Sequence, residues 1–199
     1  WLDGPSDAPL LIALHGLEGS SDSPYIQRLM AIARSKGWRA LAVNARGCSG
    51  VDNRGLQTYH AAYGDDIDFV LQRIEKQHGQ SPSPPIVIVG YSLGGSQLAN
   101  YLGRNPGKVP AAVKAACLVF APLELAPGAV ALRQLQNQVY TWYFLLSLRR
   151  KVRQKLRAHP SIERRAHDAL QARSIEDFDS AWTAPIHGYA DAADYYARA

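Results

Sequence analysis

The sequence predicts an α/β fold built around a mostly parallel sheet. Two observations support this prediction: short apolar runs recur along the first 121 residues, and segments with helical spacing of apolar residues separate them. Continuous apolar runs are typical of strands that are buried on both faces, as in parallel sheets. Because such sheets bind ligands at the carboxyl ends of their strands, we expect the loops after these runs to form one site.

Strands and helices alternate along the predicted core. Apolar residues at i, i+3, i+4 and i+7 indicate the first two helices, and proline and glycine mark several boundaries. The predicted order is a strand over 10–14, a helix from Pro24 to Gly37, a strand over 39–43, a helix over 67–74, a loop over 79–85, a strand over 86–89, a helix over 96–103 and a strand over 113–121.

The pattern changes after Pro122. Pro127 and Gly128 interrupt it, and a long helical stretch over 129–158 then ends at Pro160. No strand of comparable quality follows, so we interpret this region as a helical cap inserted over the ligand end of the sheet. The predicted domains are 1–124 for the core, 125–183 for the cap and 184–199 for a helix that returns to the core.

Positive charge is concentrated in the predicted cap. The chain carries a net charge of +5, whereas residues 128–173 hold ten basic and two acidic residues. The aromatic and then basic segment 142–157 has three interpretations. It is a cap helix that packs Trp142, Phe144 and Leu145 on the core, a helix that meets an anionic membrane surface, or a nucleic-acid site. We rank nucleic acid last and predict no such partner, because no recognised nucleic-acid module accompanies the charge.

Composition and spacing argue against several other classes of protein. No apolar run reaches the roughly 18 residues of a membrane span. Cys48 and Cys117 provide neither a disulfide framework nor metal-ligand spacing, and the apolar run around Cys117 predicts that it lies in the core.

The chain begins at Trp1 without a methionine, and we expect it to be a fragment. Four further histidines are expected at the surface: His60, His78, His159 and His167.

The most informative motif is Gly90-Tyr91-Ser92-Leu93-Gly94, which joins the strand over 86–89 to a helix. Glycines on both sides of a serine permit a turn so tight that the serine hydroxyl is pushed into the open, the arrangement of a nucleophile elbow. The alternative is an ordinary strand-to-helix turn in which Ser92 caps the helix. A nucleophile also needs oxyanion donors, for which we predict the backbone N–H groups of Leu93 and Leu17.

The loop His15-Gly16-Leu17-Glu18-Gly19-Ser20 stands where the second oxyanion donor belongs, which favours the elbow over the simple turn. We interpret His15 as a brace for this loop rather than as the catalytic base. Tyr91 and His187 are predicted to line the pocket or support its loops. No metal site is predicted, because His187, Asp191 and Asp194 on one helix face are more typical of an exposed helical surface.

Five motifs together resemble the YheT-like branch of the α/β-hydrolase superfamily over nearly the whole chain. They are His15–Ser20, Ser23–Tyr25, Arg46–Gly50, Gly90–Gly95 and Ile186–Asp191. The resemblance implies a cytoplasmic serine hydrolase, without metal or cofactor, that cleaves short-chain, acylglycerol or other lipid carboxylic esters through an acyl-enzyme on Ser92. It also implies that the catalytic acid and histidine, with the last strands of the sheet, lie beyond Ala199, so that the fragment alone is inactive.

Two alternatives remain open. Glu124 and His187 follow Ser92 in the chain order of such triads, so a Ser92–Glu124–His187 triad is conceivable within the chain. The other alternative is a non-catalytic protein that binds a ligand or partner on the same fold, since fold does not determine function.

Overall fold

The computed structural model describes residues 5–78 and 83–199. Its strands are β1 (Leu10–Leu14), β2 (Arg39–Val43), β3 (Ile86–Tyr91) and β4 (Val113–Val119). Its α-helices are α1 (Pro24–Ser35), α2 (Asp65–His78), α3 (Leu93–Arg104), α4 (Leu125–Arg133), α5 (Gln138–Ala158), α6 (Glu163–Gln171), α7 (Ile175–Phe178), α8 (Ala184–Ile186) and α9 (Ala192–Arg198). A π-helical turn (Asp179–Thr183) joins α7 to α8.

The four strands form one parallel sheet in the order β2-β1-β3-β4, which confirms the predicted fold class. Leu14 pairs with Val43 on one side and with Gly90 on the other. The carboxyl ends of β1, β2 and β3 are therefore level. The loops that leave these three ends begin side by side, as the sequence predicted.

The core of the sheet consists of two apolar clusters on opposite faces of β1. Leu10, Ile12 and Leu14 pack with Leu71 of α2 and Leu98 of α3. The alternate residues of β1 pack with α1 on the other face, in a cluster of Leu11, Ala13, Ile26, Met30 and Ala33. Successive strand residues point to opposite faces, so a strand covered by helices on both sides needs an unbroken apolar run.

The burial of the last strand differs from the prediction. Residues 114–118 of β4 are exposed, and Cys117 is exposed rather than in the core, so that prediction is wrong. β4 pairs only with β3 among the described strands and lies at the edge of the sheet. An apolar run specifies a strand, but not whether other elements cover its faces.

The expectation for the histidines is also partly wrong. His60 is buried, and its carbonyl oxygen accepts a hydrogen bond from Gln97 Nε2 at 3.0 Å. His159 is half-buried, and one ring nitrogen lies 3.1 Å from the carbonyl oxygen of Arg54. His167 is exposed as expected. The side chain of His78 and residues 79–82 of the predicted loop lie outside the described residues.

The chain divides into two compact units, one of residues 1–49 and 60–123 and the other of residues 50–59 and 124–199. The second unit has its own core around Leu145, Val152, Phe178 and Trp182. The predicted boundaries 1–124, 125–183 and 184–199 do not anticipate that residues 50–59 group with the helical unit.

Residues 184–199 form two short helices rather than the single helix that we expected. Gly188, with φ of 81°, separates α8 from α9 in the left-handed conformation that glycine adopts at low cost. Asp191 then caps α9 by accepting a hydrogen bond from Asp194 N at 2.9 Å. His187, Asp191 and Asp194 therefore do not share one helix face.

Candidate active site

Ser92 occupies the turn between β3 and α3 in a strained conformation. Its φ is 49° and its ψ is −121°, a combination that costs a non-glycine residue about 1–3 kcal/mol. Its N–H donates to the carbonyl oxygen of Val119 at 2.9 Å, while its own carbonyl accepts from Gly95 N at 2.8 Å. The side chain is exposed and makes no capping hydrogen bond, so Ser92 does not act as an ordinary N-cap.

The glycines of the motif are required by close backbone contacts. A Cβ atom at Gly90 would lie 2.6 Å from the carbonyl oxygen of Gly94. A Cβ atom at Gly94 would lie 2.5 Å from the carbonyl oxygen of His15 and 2.8 Å from that of Leu14. Any side chain at these positions would push α3 away from the ends of β3 and β1. The tight turn that exposes Ser92 therefore depends on both glycines.

The loop after β1 lies against the serine side chain. A Cβ atom at Gly16 would be 3.1 Å from Ser92 Cβ and 3.7 Å from Ser92 Oγ. Leu17 follows directly, and Leu93 begins α3 on the other side of the serine. In the described part of the chain, neither the N–H of Leu17 nor that of Leu93 donates a hydrogen bond. Two uncommitted N–H groups thus belong to residues that adjoin the serine site on either side.

His15 connects two of the loops at the sheet edge. Its Nε2 atom accepts a hydrogen bond from Ala45 N at 3.0 Å, and its Nδ1 atom donates to the carbonyl oxygen of Gly16 at 2.8 Å. A carbonyl oxygen only accepts, so the proton of the neutral ring resides on Nδ1. The ring is buried, and both of its nitrogens are engaged with backbone groups. His15 therefore holds the loop after β1 against the loop after β2.

Tyr25 is a site residue whose contacts the sequence did not reveal. Its hydroxyl oxygen accepts a hydrogen bond from Gly16 N at 3.0 Å, and its ring lies 4.8 Å from the ring of Tyr91. Burial raises the pKa of Tyr91, which keeps this phenol neutral. The only signal in the sequence was that Tyr25 belongs to one of the recognised motifs.

Two further polar contacts fix the loop after β2. Asn44 accepts a hydrogen bond from Ser21 N at 2.7 Å and so links this loop to the one after β1. Arg46 donates two hydrogen bonds to Asp66, from Nε at 2.9 Å and from Nη2 at 2.8 Å, and its guanidinium lies over the ring of Tyr63. Hydrogen bonding to Asp66 raises the pKa of Arg46. The edge of the sheet is thus a preorganised scaffold around an exposed serine.

A family described as "alpha/beta hydrolase fold" matches residues 9–196. The chain belongs to the α/β-hydrolase fold family. This α/β hydrolase is 37% identical to "Putative esterase YheT" of Escherichia coli, over 98% of the chain and 57% of that protein, which confirms the YheT-like resemblance.

Two further relatives carry names that specify an activity. "Phospholipase ABHD3" of Mus musculus is 30% identical over 100% of the chain and 49% of that protein. "Medium-chain fatty acid ethyl ester synthase/esterase 2" of Saccharomyces cerevisiae is 31% identical over 97% of the chain and 47% of that protein. The chain spans about half the length of the curated relatives it matches.

The first unit of this α/β hydrolase contains Ser92, Leu93, Leu17, His15 and Tyr91 together. The second unit contains the other two candidates: Glu124, exposed at the start of α4, and His187, at the end of α8. Within residues 5–78 and 83–199, Ser92 Oγ makes no hydrogen bond. In the same ranges, no group of three or more His, Cys, Asp or Glu side chains is arranged to hold a metal.

Proposed function

We propose that this α/β hydrolase cleaves carboxylic esters through an acyl-enzyme on Ser92. The observation that carries the proposal is the strained, exposed Ser92 beside the loop that contains Gly16 and Leu17. A serine held at a positive φ at the carboxyl end of a parallel sheet is an arrangement that exposes Oγ to a substrate. The names of the relatives, which include an esterase and a phospholipase, support an ester as the substrate.

In the proposed reaction, Ser92 Oγ attacks the ester carbonyl carbon as a histidine base takes its proton. The carbonyl oxygen becomes an oxyanion that accepts hydrogen bonds from the N–H groups of Leu17 and Leu93. Collapse of this intermediate expels the alcohol, which takes the proton from the histidine, and leaves an acyl group on Ser92. Water then attacks the acyl carbon while the histidine takes a proton from it. The second tetrahedral intermediate releases the carboxylic acid, and Ser92 Oγ regains its proton from the histidine.

His15 does not fit the role of the base, because backbone groups occupy both of its ring nitrogens and its ring is buried. Its proposed role is to position Gly16 and, through it, the Leu17 amide. The family resemblance assigns the base and the acid to residues after Ala199. We therefore expect the 199-residue chain on its own to acylate slowly, since serine is a weak nucleophile without a base.

A fluorophosphonate probe and a p-nitrophenyl ester test the proposal on the intact protein. Ser92→Ala should abolish labelling and lower kcat/KM by about 10⁶-fold, the scale of the loss in kcat when a triad serine is removed. Ser96→Ala is the matched control, because Ser96 lies one turn further along α3 with its Oγ bonded to the carbonyl oxygen of Pro122 at 2.7 Å. Undiminished labelling of Ser92→Ala would refute the proposal.

The same probe identifies the base. Slow labelling of the 199-residue chain beside fast labelling of the intact protein supports a histidine outside this chain. Fast labelling of the 199-residue chain that His187→Gln abolishes would instead assign the base to His187. A Glu124→Gln variant would then test the acid of that alternative triad.

A further inference from the structure

Helix α5 carries a continuous exposed stripe along one face. Its members lie at i, i+3, i+4, i+7, i+11, i+14 and i+18, the spacing of neighbours on a helix surface. The α5 stripe consists of Val139, Trp142, Tyr143, Leu146, Arg150, Arg153 and Arg157, all exposed. Its first four residues are apolar or aromatic, and its last three are cationic.

The opposite face of α5 is anchored in the second unit, which determines the direction in which the stripe points. Thr141, Leu145, Val152 and Lys155 are buried. Thr141 Oγ1 donates to the carbonyl oxygen of Leu132 at 2.6 Å, and Lys155 Nζ donates to the carbonyl oxygen of Gly55 at 2.7 Å. The helix cannot rotate about its axis to bury the stripe without breaking these contacts.

The apolar half of the stripe corrects one sequence prediction. Leu145 is buried in the second unit's own cluster, whereas Trp142 is 61% exposed. Two neighbouring residues enlarge the apolar surface, Leu135 at 81% and Tyr140 at 62% exposure. On the surface of a globular protein, a contiguous cluster of exposed aromatic and aliphatic side chains marks an interaction surface.

The cationic half is available to a partner. In the ranges that the structure describes, Arg150, Arg153 and Arg157 make no ion pair. The centre of the apolar half and the centre of the cationic half are about 16 Å apart along the axis, at 1.5 Å of rise per residue. A partner must therefore offer an apolar region beside a layer of negative charge.

We infer that the α5 stripe docks on the surface of an anionic lipid bilayer. Trp and Tyr side chains favour the boundary between headgroups and acyl chains, where Trp142 and Tyr143 would insert. Arg150, Arg153 and Arg157 would remain among the lipid phosphates. Among the described residues, no helix is long and apolar enough to cross a membrane. This inference does not depend on the chemistry at Ser92.

Charge complementarity favours a bilayer over the other possible occupants. A second copy packed antiparallel would set apolar residues against arginines, and a parallel copy would set arginines against arginines. Nucleic acid would satisfy the arginines but leave Val139, Trp142 and Leu146 in water. Only a surface that is both apolar and anionic satisfies the two halves of the stripe.

Vesicle flotation tests the inference on the intact protein in a Ser92→Ala background, so that lipid is not consumed. The vesicles contain phosphatidylcholine alone or with 30 mol% phosphatidylglycerol. Binding should be at least tenfold stronger to the anionic vesicles. Arg150→Gln/Arg153→Gln/Arg157→Gln should weaken it by about 100-fold, since each basic residue near the surface contributes about 1 kcal/mol. Trp142→Gln/Leu146→Gln should weaken binding at either composition.

Matched controls remove the same charge and apolarity elsewhere. Arg28→Gln/Arg34→Gln/Lys36→Gln deletes three exposed charges on and just after α1, and Ile32→Gln deletes an exposed apolar side chain there. Neither control should change binding more than twofold. Quenching of tryptophan fluorescence by brominated lipid, lost in Trp142→Phe, provides a second readout of insertion.

Three results would overturn the inference. The first is equal binding to neutral and anionic vesicles, or no binding to either. The second is equal weakening by the control triple variant, which would show only a general effect of charge. The third is a dimer or a complex with DNA that the stripe variants abolish while vesicle binding is absent.

Discussion

Replacing Gly94 with alanine should weaken the fold at the point where the turn between β3 and α3 meets β1. The new Cβ atom would lie 2.5 Å from the carbonyl oxygen of His15 and 2.8 Å from that of Leu14. Both are backbone atoms, so no side-chain rotation relieves the contact. Separation to an ordinary contact near 3.4 Å requires the backbone to move by about 0.9 Å.

The expected magnitude follows from two opposing effects. Overpacking of a rigid region costs about 3 kcal/mol. Alanine is a better helix former than glycine, by about 0.5–1 kcal/mol so close to the start of α3, which offsets part of this cost. Gly94→Ala should therefore lower the free energy of unfolding by about 2 kcal/mol.

Gly103→Ala is the matched control on the same helix. A Cβ atom at Gly103 would meet no atom within 4 Å, so only the gain in helix propensity remains, about 0.5–1 kcal/mol so close to the end of α3. Urea unfolding followed by circular dichroism measures both variants. With a slope of about 2 kcal/mol per M, the midpoints should move in opposite directions, by about 1 M downward for Gly94→Ala and about 0.4 M upward for Gly103→Ala. Equal shifts for the two variants would refute the reasoning.

Three further variants test contacts elsewhere. Lys155→Met leaves the backbone carbonyl oxygens of Asn53 and Gly55, and Asn53 Oδ1, without this donor, and it should lower the free energy of unfolding by about 3 kcal/mol. Arg153→Met, at an exposed position, should change it by less than about 0.5 kcal/mol. Burial raises the pKa of Asp179 from 3.8 to about 6. The folded state therefore holds a proton that the unfolded state has lost, and stability should fall by about 2 kcal/mol as the pH rises from 4 to 6. Asp179→Asn should flatten this profile, and a flat wild-type profile would contradict the assignment. Tyr25→Phe removes the acceptor of the Gly16 N–H and should lower kcat/KM for the p-nitrophenyl ester about fivefold to tenfold. Tyr140→Phe, at an exposed residue, should leave kcat/KM unchanged. An unchanged kcat/KM in Tyr25→Phe would exclude a positioning role for Tyr25.

Much of the first unit could be predicted because its signals are local. The apolar runs of β1 and β2 predict both strands to the residue, and the glycines around Ser92 predict the turn. Each signal lies within a few residues of the structure that it specifies. Helices cover both faces of β1, so this strand needs an unbroken apolar run, and the run and the strand coincide.

The contacts around the site could not be predicted in the same way. The hydroxyl of Tyr25 meets Gly16 nine residues away, and the ring of His15 meets Ala45 thirty residues away. No local pattern encodes such pairs, because they depend on which strands become neighbours. Because His15 precedes Ser92 in the chain, the sequence predicts that it supports its loop rather than acts as the base. Its hydrogen-bond partners depend on the alignment of β1 beside β2.

The sequence by itself determined the parallel α/β architecture, the tight glycine-flanked turn at Ser92 and the concentration of positive charge after residue 128. Tertiary structure alone decided that β4 is an exposed edge, that residues 50–59 join the helical unit through Lys155, and that Trp142 faces outward. The reason is physical. Periodicity determines which residues share a face, whereas burial depends on whether another part of the chain covers that face.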